Sequence, residues 1–432
     1  MSRWTRRAFL QASAAASAAG VASSAVRLEA VSTAGAALAQ QSAEEVAVIE
    51  PYWREVRQAF ALDPVLINLN NGNSSPSPQT VHEAFKRHLD DTNRLPVHYR
   101  TLIEQRFDEV RRELATEFGC EPAELAFTRN ATEALHIAQL GLQLQPGDEV
   151  ITTDQDYPRM LWLWDQRARR DGIVVKRVQF PVPATAADLM QRFESAITPR
   201  TRVLHFCHVT NTTGQLFPVR ELSRLARSRG IVSIVDGAQA VAHVPFQLRD
   251  LECDLYGTSL HKWLMAPHGT GFLYVRRDTI ERVWPLYAAL DSMRGDIRKF
   301  EEIGTHPAAA RAAIAEALTF HRAVGSERKA ARLRYLTMRW VNGLRSRPQV
   351  RILSSLEPNE TWGLASFAIQ GVNAATVVPA MLEKHRIVVS AAVTQGVPGP
   401  VLDYSGIRVT LNIYTSIEEI DRFIDAIRSD FL

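Results

Sequence analysis

Ile231-Val232-Ser233-Ile234-Val235-Asp236-Gly237-Ala238-Gln239 is the stretch that decides the fold of this chain. Four of the five residues before Asp236 are apolar, so the run reads as a strand buried on both faces with a carboxylate at its carboxyl end. Just upstream, Val219–Ser228 has helical spacing and stops at Gly230, where a C-terminal glycine belongs. The same alternation continues outward. Strands are expected at Leu125–Phe127, Val150–Thr153, Val174–Val178 and Arg202–Cys207, and helices at Glu133–Leu142 and Ala187–Ile197. This is the pattern of an α/β fold, a mostly parallel sheet with helices on both faces, and ligands of such sheets gather at the carboxyl ends of the strands.

Beyond Gly304 the character changes. Residues 308–345 are rich in Ala, Arg and Glu, strand-like segments follow around Gly363–Ile369, Ile387–Ser390 and Ile407–Leu411, and a final helix starts at Ile417. We read residues 76–305 as a large domain and 306–432 as a smaller α+β domain that residues 40–75 complete.

Of the 432 residues, 46% are hydrophobic and 22% charged, which excludes disordered, collagen-like and coiled-coil chains. Cys120, Cys207 and Cys253 form no CxxC pair and are too few for a disulfide framework or a thiolate zinc cage. There are 50 Lys and Arg against 47 Asp and Glu; four of the arginines and one of the glutamates fall within residues 1–39, so the remainder is neutral. A neutral body offers no counter-charge for nucleic acid.

Residues 1–39 combine a basic start, an Ala/Ser-rich apolar stretch and the small-residue triplet Ala37-Leu38-Ala39, the parts of an export signal. The run Thr5-Arg6-Arg7-Ala8-Phe9-Leu10-Gln11 resembles the twin-arginine signal, which implies the twin-arginine export machinery as a partner and a periplasmic destination. No other segment reaches the ~18 apolar residues of a membrane span. Because that route carries folded proteins, a cofactor would be loaded before export.

Three motifs carry chemistry. In Asp254-Leu255-Tyr256-Gly257-Thr258-Ser259-Leu260-His261-Lys262-Trp263, an apolar run enters a turn bearing Lys262. Desolvation there would lower the lysine's pKa and leave an amine able to attack a carbonyl, although a lysine after a strand also reads as a solvated surface group. Asp236, at the end of its apolar run, requires a cation or several donors, and a protonated pyridine nitrogen would satisfy it; a helix cap would also explain it. In Phe127-Thr128-Arg129-Asn130-Ala131-Thr132-Glu133, a strand runs into a helix whose first amides and Thr132 hydroxyl form a phosphate seat or an ordinary helix start. Together, a phosphate seat, a carboxylate and a lysine at successive strand ends describe a pyridoxal 5'-phosphate site.

With these motifs in this order, residues 65–425 resemble the class V aminotransferases within the fold-type I pyridoxal phosphate enzymes, and lean towards the isopenicillin N epimerase-like subgroup. The resemblance implies that Lys262 is the Schiff-base lysine, with Ser259 and His261 near the phosphate. It further implies that Asp236 partners the pyridine nitrogen and Gln239 the phenolate oxygen, that Ala131 and Thr132 bind the phosphate, and that Tyr157 stacks on the ring. Asn211 is expected near the ring oxygen, and Arg408 on the substrate's α-carboxylate. Asn71, in Asn70-Asn71-Gly72-Asn73, is expected on the substrate side, and Thr305, in Glu302-Ile303-Gly304-Thr305, reaches the neighbouring site of a homodimer.

The expected substrate is an amino acid activated at its α-carbon, with epimerisation leading and transamination or C–S cleavage as alternatives. Lys262 is the acid/base on one face, and no second base stands out by pattern. Cysteine desulfurases carry a nucleophilic Cys ahead of the carboxylate-binding Arg, yet Ile387 to Gly406 contains none, which disfavours a persulfide route. A dehydrogenase fingerprint is missing, since Gly269-Thr270-Gly271 lacks a third glycine and precedes a strand. No Gly-x-Ser-x-Gly serine hydrolase motif occurs. A non-catalytic exported binding protein would have no reason to keep both Lys262 and Asp236.

Overall fold

A computed structural model describes residues 25–392 and 405–432. Its strands in chain order are β1 (Ile67–Asn68), β2 (Leu125–Thr128), β3 (Glu149–Thr153), β4 (Val174–Val178), β5 (Thr201–Cys207), β6 (Val232–Asp236), β7 (Leu255–Ser259), β8 (Gly271–Val275), β9 (Val350–Ile352), β10 (Leu364–Ile369), β11 (Ile387–Val388), β12 (Ser390–Ala392) and β13 (Gly406–Thr410).

Seven of them form one sheet in the order β2-β8-β7-β6-β5-β3-β4. Pairings among β4, β3, β5, β6 and β7 are parallel, whereas β8 runs antiparallel to both β2 and β7. Every residue of β3, β6, β7 and β8 is buried, as expected for strands covered on both faces by crossover helices. The fold is therefore α/β with a large, mostly parallel sheet. Close packing sets two glycines: a Cβ on Gly237 would lie 1.9 Å from the Tyr256 ring, and one on Gly257 would lie 2.8 Å from Leu135 of the helix Ala131–Gly141.

A second, antiparallel sheet has the order β12-β13-β10-β9. The helices Ser326–Leu344 and Ile417–Phe431 supply Trp340, Val341, Phe423 and Ile427 to the apolar core beneath it. The short pair β1–β11 is parallel, with Ile67 opposite Ile387, and ties the chain before residue 75 to this unit.

The twin-arginine run Thr5–Gln11 lies outside the described residues. Residues 25–37 are helical and packed on the body: Val31 is fully buried, and the Arg328 guanidinium donates to the carbonyls of Gly35 and Leu38 at the helix end. A cation bonded to the last carbonyls of a helix complements its macrodipole. Among the described residues no helix is long and apolar enough to cross a membrane.

Candidate active site

The carboxyl ends of the sheet's strands meet residues from the second sheet around one cavity of about 220 Å³. Ala131, Thr132, Tyr157, Asn211, Asp236, Gln239, Ser259, His261, Lys262 and Arg408 all line it. Ten of the twelve expected site residues are thus brought together; Asn71 and Thr305 are not.

At one end stands the amino terminus of the helix Ala131–Gly141. Asn130 caps it, its side chain accepting from the Glu133 N–H at 2.9 Å. The Ala131 N–H donates to Ser259 Oγ at 2.9 Å, which joins this turn to the end of β7. Gly271 of β8 makes the close approach possible, since a Cβ there would come within 2.8 Å of the Asn130 backbone. First-turn amides with the positive helix end behind them suit a phosphate. His261 sits beside this end, its Nδ1 3.3 Å from the Thr270 carbonyl. Burial, with the neighbouring Lys262 charge, pulls it down to about 4, so it is neutral at pH 7.

In the middle, Asp236 closes β6 and is 4% exposed. Its Oδ1 accepts the Ala238 N–H at 2.9 Å. Burial pushes the carboxyl up to about 6, partly offset by that N–H and by Lys262. Lys262, three residues beyond β7, is pulled down to about 8 by burial; Asp236 opposes the fall and Arg408 adds to it. A cavity-facing amine with this pKa is neutral in an appreciable fraction of molecules near neutrality. Tyr157, half-buried, immediately precedes the helix Pro158–Asp171 and lies on the cavity wall.

Gln239 is anchored from both ends: its Oε1 accepts from Trp263 Nε1 at 2.9 Å and its Nε2 donates to the Gly72 carbonyl at 2.8 Å. Trp263 in turn stacks on His243, with ring centres 3.6 Å apart and planes 5° from parallel. The carboxamide geometry beside the cavity is therefore set by the residue next to Lys262.

Arg408 comes from the second sheet. Its Nε donates to Ser390 Oγ at 2.9 Å, Nη1 to the Asn211 carbonyl at 2.8 Å and Nη2 to Asn70 Oδ1 at 2.9 Å. All three partners are uncharged. Burial lowers its pKa to about 10, so it stays cationic at pH 7 and retains the capacity to pair with an anion. Asn211 Oδ1 is buried without a hydrogen-bond partner among the described residues.

Asn71 corrects the expectation of a substrate-side group. It is fully buried, its Oδ1 accepting from the Tyr414 hydroxyl and Asn68 Nδ2, and its Nδ2 donating to the carbonyls of Asn68 and Thr410. These bonds fasten the turn to β13, and its neighbours Gly72 and Asn73 line the cavity instead. Thr305 is exposed and accepts from Arg100 Nη1 at 3.4 Å, outside this chain's own cavity wall. Cys207, Met160 and Arg159 were not expected in the wall. Arg159 and Met160 lie just past Tyr157-Pro158, so the stacking motif was the signal for them; Cys207 ends β5, the strand expected over Arg202–Cys207. The Cys207 thiol is held well above its usual range by burial and by Asp156 and Asp236, which makes it a poor nucleophile.

These residues fit pyridoxal phosphate. A phosphate seat, a buried acid with a raised pKa and a lysine with a lowered one border a single small cavity, and the unpartnered Asn211 amide oxygen and the carboxylate-free Arg408 leave polar groups for cofactor and substrate.

The comparisons with known proteins point the same way. The family model described as aminotransferase class-V matches residues 67–423. The chain is 33% identical over 398 residues to isopenicillin N epimerase of Streptomyces clavuligerus, covering 87% of this chain and 97% of that one. It is 28% identical over 389 residues to a probable cysteine desulfurase of Synechocystis, covering 84% and 90%. Among solved structures, the apo cysteine desulfurase of Thermococcus onnurineus NA1 superposes with a TM-score of 0.76 at 23% identity, covering 86% of this chain and 96% of that one. A cystine C–S lyase bound to cysteine persulfide superposes with a TM-score of 0.75 at 24% identity, covering 85% and 98%. These two share the fold.

Proposed function

The chain belongs to the class V aminotransferase family, and from that premise we propose a pyridoxal phosphate enzyme that acts at the α-carbon of an amino acid, with epimerisation as its leading reaction. The observation that carries this reading is Lys262 and Asp236 on the wall of one cavity, each with a shifted pKa, beside a helix-end anion seat.

When bound, the cofactor supplies an electron sink that acidifies the substrate's Cα–H. The protein's own residues do the rest. The Ala131–Thr132 turn with Ser259 would hold the phosphate, and Tyr157 would supply a stacking surface for the ring. Asp236 keeps a proton on the ring nitrogen through a charge-assisted hydrogen bond of about 1.5–3 kcal/mol. Arg408 binds the α-carboxylate with a planar fork that fixes the α-carbon's orientation. Lys262, as a neutral amine, takes the Cα proton on its own face and can return it. Epimerisation leads because a relative at 33% identity bears that name. A persulfide route is disfavoured, since Ile387 to Gly406 has no cysteine and Cys207 is buried with a raised pKa.

The test is incubation with single-enantiomer amino acids in deuterated water, with and without a keto acid. Deuterium at Cα with loss of chirality and no keto-acid requirement supports epimerisation; amino transfer without racemisation eliminates it in favour of transamination.

Two finer features belong to the same proposal. The enzyme is a homodimer in which Thr305 completes the neighbouring site; its exposure outside its own cavity supports this, as do exposed Val97, Trp284 and Leu290. It is exported to the periplasm by the twin-arginine route, on the evidence of residues 5–11. Light scattering checks the first. Cell fractionation of a variant carrying Arg6→Lys and Arg7→Lys checks the second, a periplasmic double variant counting against it.

A further inference from the structure

The cavity wall includes a second arginine that the proposed reaction does not use. Arg159 is the second residue of the helix Pro158–Asp171 and lines the cavity with Tyr157 and Met160. Its Cζ stands 5.8 Å from the centre of the Tyr157 ring and 6.0 Å from that of Trp162, so two aromatic rings hold it at the rim. Among the described residues no carboxylate forms an ion pair with it. Tyr157 also stands close enough to Arg408 to interact with it electrostatically. The two arginines therefore share one tyrosine and line one cavity.

The other anions expected here have seats. Arg408 takes the α-carboxylate, and the Ala131–Thr132 turn with Ser259 takes the phosphate. Arg159 is the cation left over. Its exposure at the rim places it where a substrate's side chain, and not its reacting carbon, would reach.

We propose that Arg159 is a specificity-determining residue that binds a second anionic group on the substrate's side chain, so that the preferred substrates are amino acids carrying a carboxylate, sulfinate or sulfonate beyond the α-carbon. The inference rests on the α-carbon reading above. The chemistry that recognises a side-chain carboxylate would also recognise the cofactor's phosphate, and the experiment separates the two.

Cofactor-loaded wild type, Arg159→Gln and Arg159→Lys are titrated with L-glutamate and L-2-aminoadipate, and with the neutral L-norleucine, following the visible spectrum for dissociation constants. The cofactor-free proteins are titrated with pyridoxal phosphate. In the wild type the anionic amino acids bind more tightly than norleucine, and in Arg159→Gln that ratio falls by roughly tenfold, the loss of one partly desolvated ion pair, with Arg159→Lys between them. An unchanged ratio overturns the proposal. So does a loss of cofactor affinity with selectivity intact, which assigns Arg159 to the phosphate. If norleucine perturbs the spectrum without discrimination, the inference fails and the α-carbon reading stands; if no amino acid perturbs it, both fail.

Discussion

Lys262 and Asp236 line one cavity, and each opposes the effect of burial on the other: the carboxylate holds the amine's pKa up and the amine holds the carboxyl's down. Burial dominates both, so the amine lies near 8 and the acid near 6.

The first consequence is a pH dependence of cofactor capture. Because the folded Lys262 titrates below its usual 10.5, the neutral amine accumulates as pH rises through about 8. Capture of pyridoxal phosphate by the cofactor-free protein, followed by stopped-flow absorbance, accelerates over that range and weakens as Asp236 protonates below about 6. Asp236→Asn removes the interaction that holds the amine up, so the upper midpoint moves down. A midpoint near 10.5 in the wild type would falsify the assignment.

Lys262→Ala leaves the fold in place and removes the amine. The purified wild type is yellow; the variant loses the visible band of the lysine-bound cofactor. Persistence of an unchanged spectrum removes the central residue of the site.

Arg408→Lys keeps the positive charge and loses the fork. Lysine cannot reproduce both N–H bonds to a carboxylate, nor the three bonds to Ser390, Asn211 and Asn70. A rise in KM of about tenfold or more is expected, equivalent to a charge-assisted hydrogen bond. Initial rates on a range of amino-acid concentrations measure it, and a KM like that of the wild type counts against carboxylate binding here.

Tyr157→Phe retains a stacking surface, whereas Tyr157→Ala does not. The alanine variant holds the cofactor more weakly by about 0.5–1.5 kcal/mol in stacking beyond its lost burial, and the phenylalanine variant stays close to wild type. Equilibrium dialysis against pyridoxal phosphate distinguishes this from a core tyrosine, whose loss would lower the melting temperature without touching affinity.

Gly237→Ala tests the packing under the site. Its new Cβ would overlap the fully buried Tyr256 ring, so the ring or the β6 turn must shift. Destabilisation of about 1–3 kcal/mol is expected, read as an earlier thermal transition by calorimetry. An unshifted transition means that the turn relaxes freely.

Much of this was legible in the linear order of residues. Apolar runs ending on Asp236 or followed by Lys262 announce buried strands whose ends carry polar groups, because a strand covered on both faces needs an uninterrupted apolar stretch and a polar residue is admitted only where it ends. The strand expected over Ile231–Val235 and that found over Val232–Asp236 differ by one residue at each end. The alternation of such runs with helical ones fixes an α/β sheet and the side of it on which a ligand sits. What the tertiary structure alone decided is where side chains from distant segments point. Adjacent Asn70 and Asn71 are chemically identical, yet one accepts from Arg408 and the other is sealed against Tyr414. Arg408 meets Asn211 across 197 positions of chain, and Gln239 is turned by Trp263 and Gly72. Local pattern encodes which face of an element is apolar; the partner of a polar side chain is chosen by long-range packing, which no short window of sequence contains.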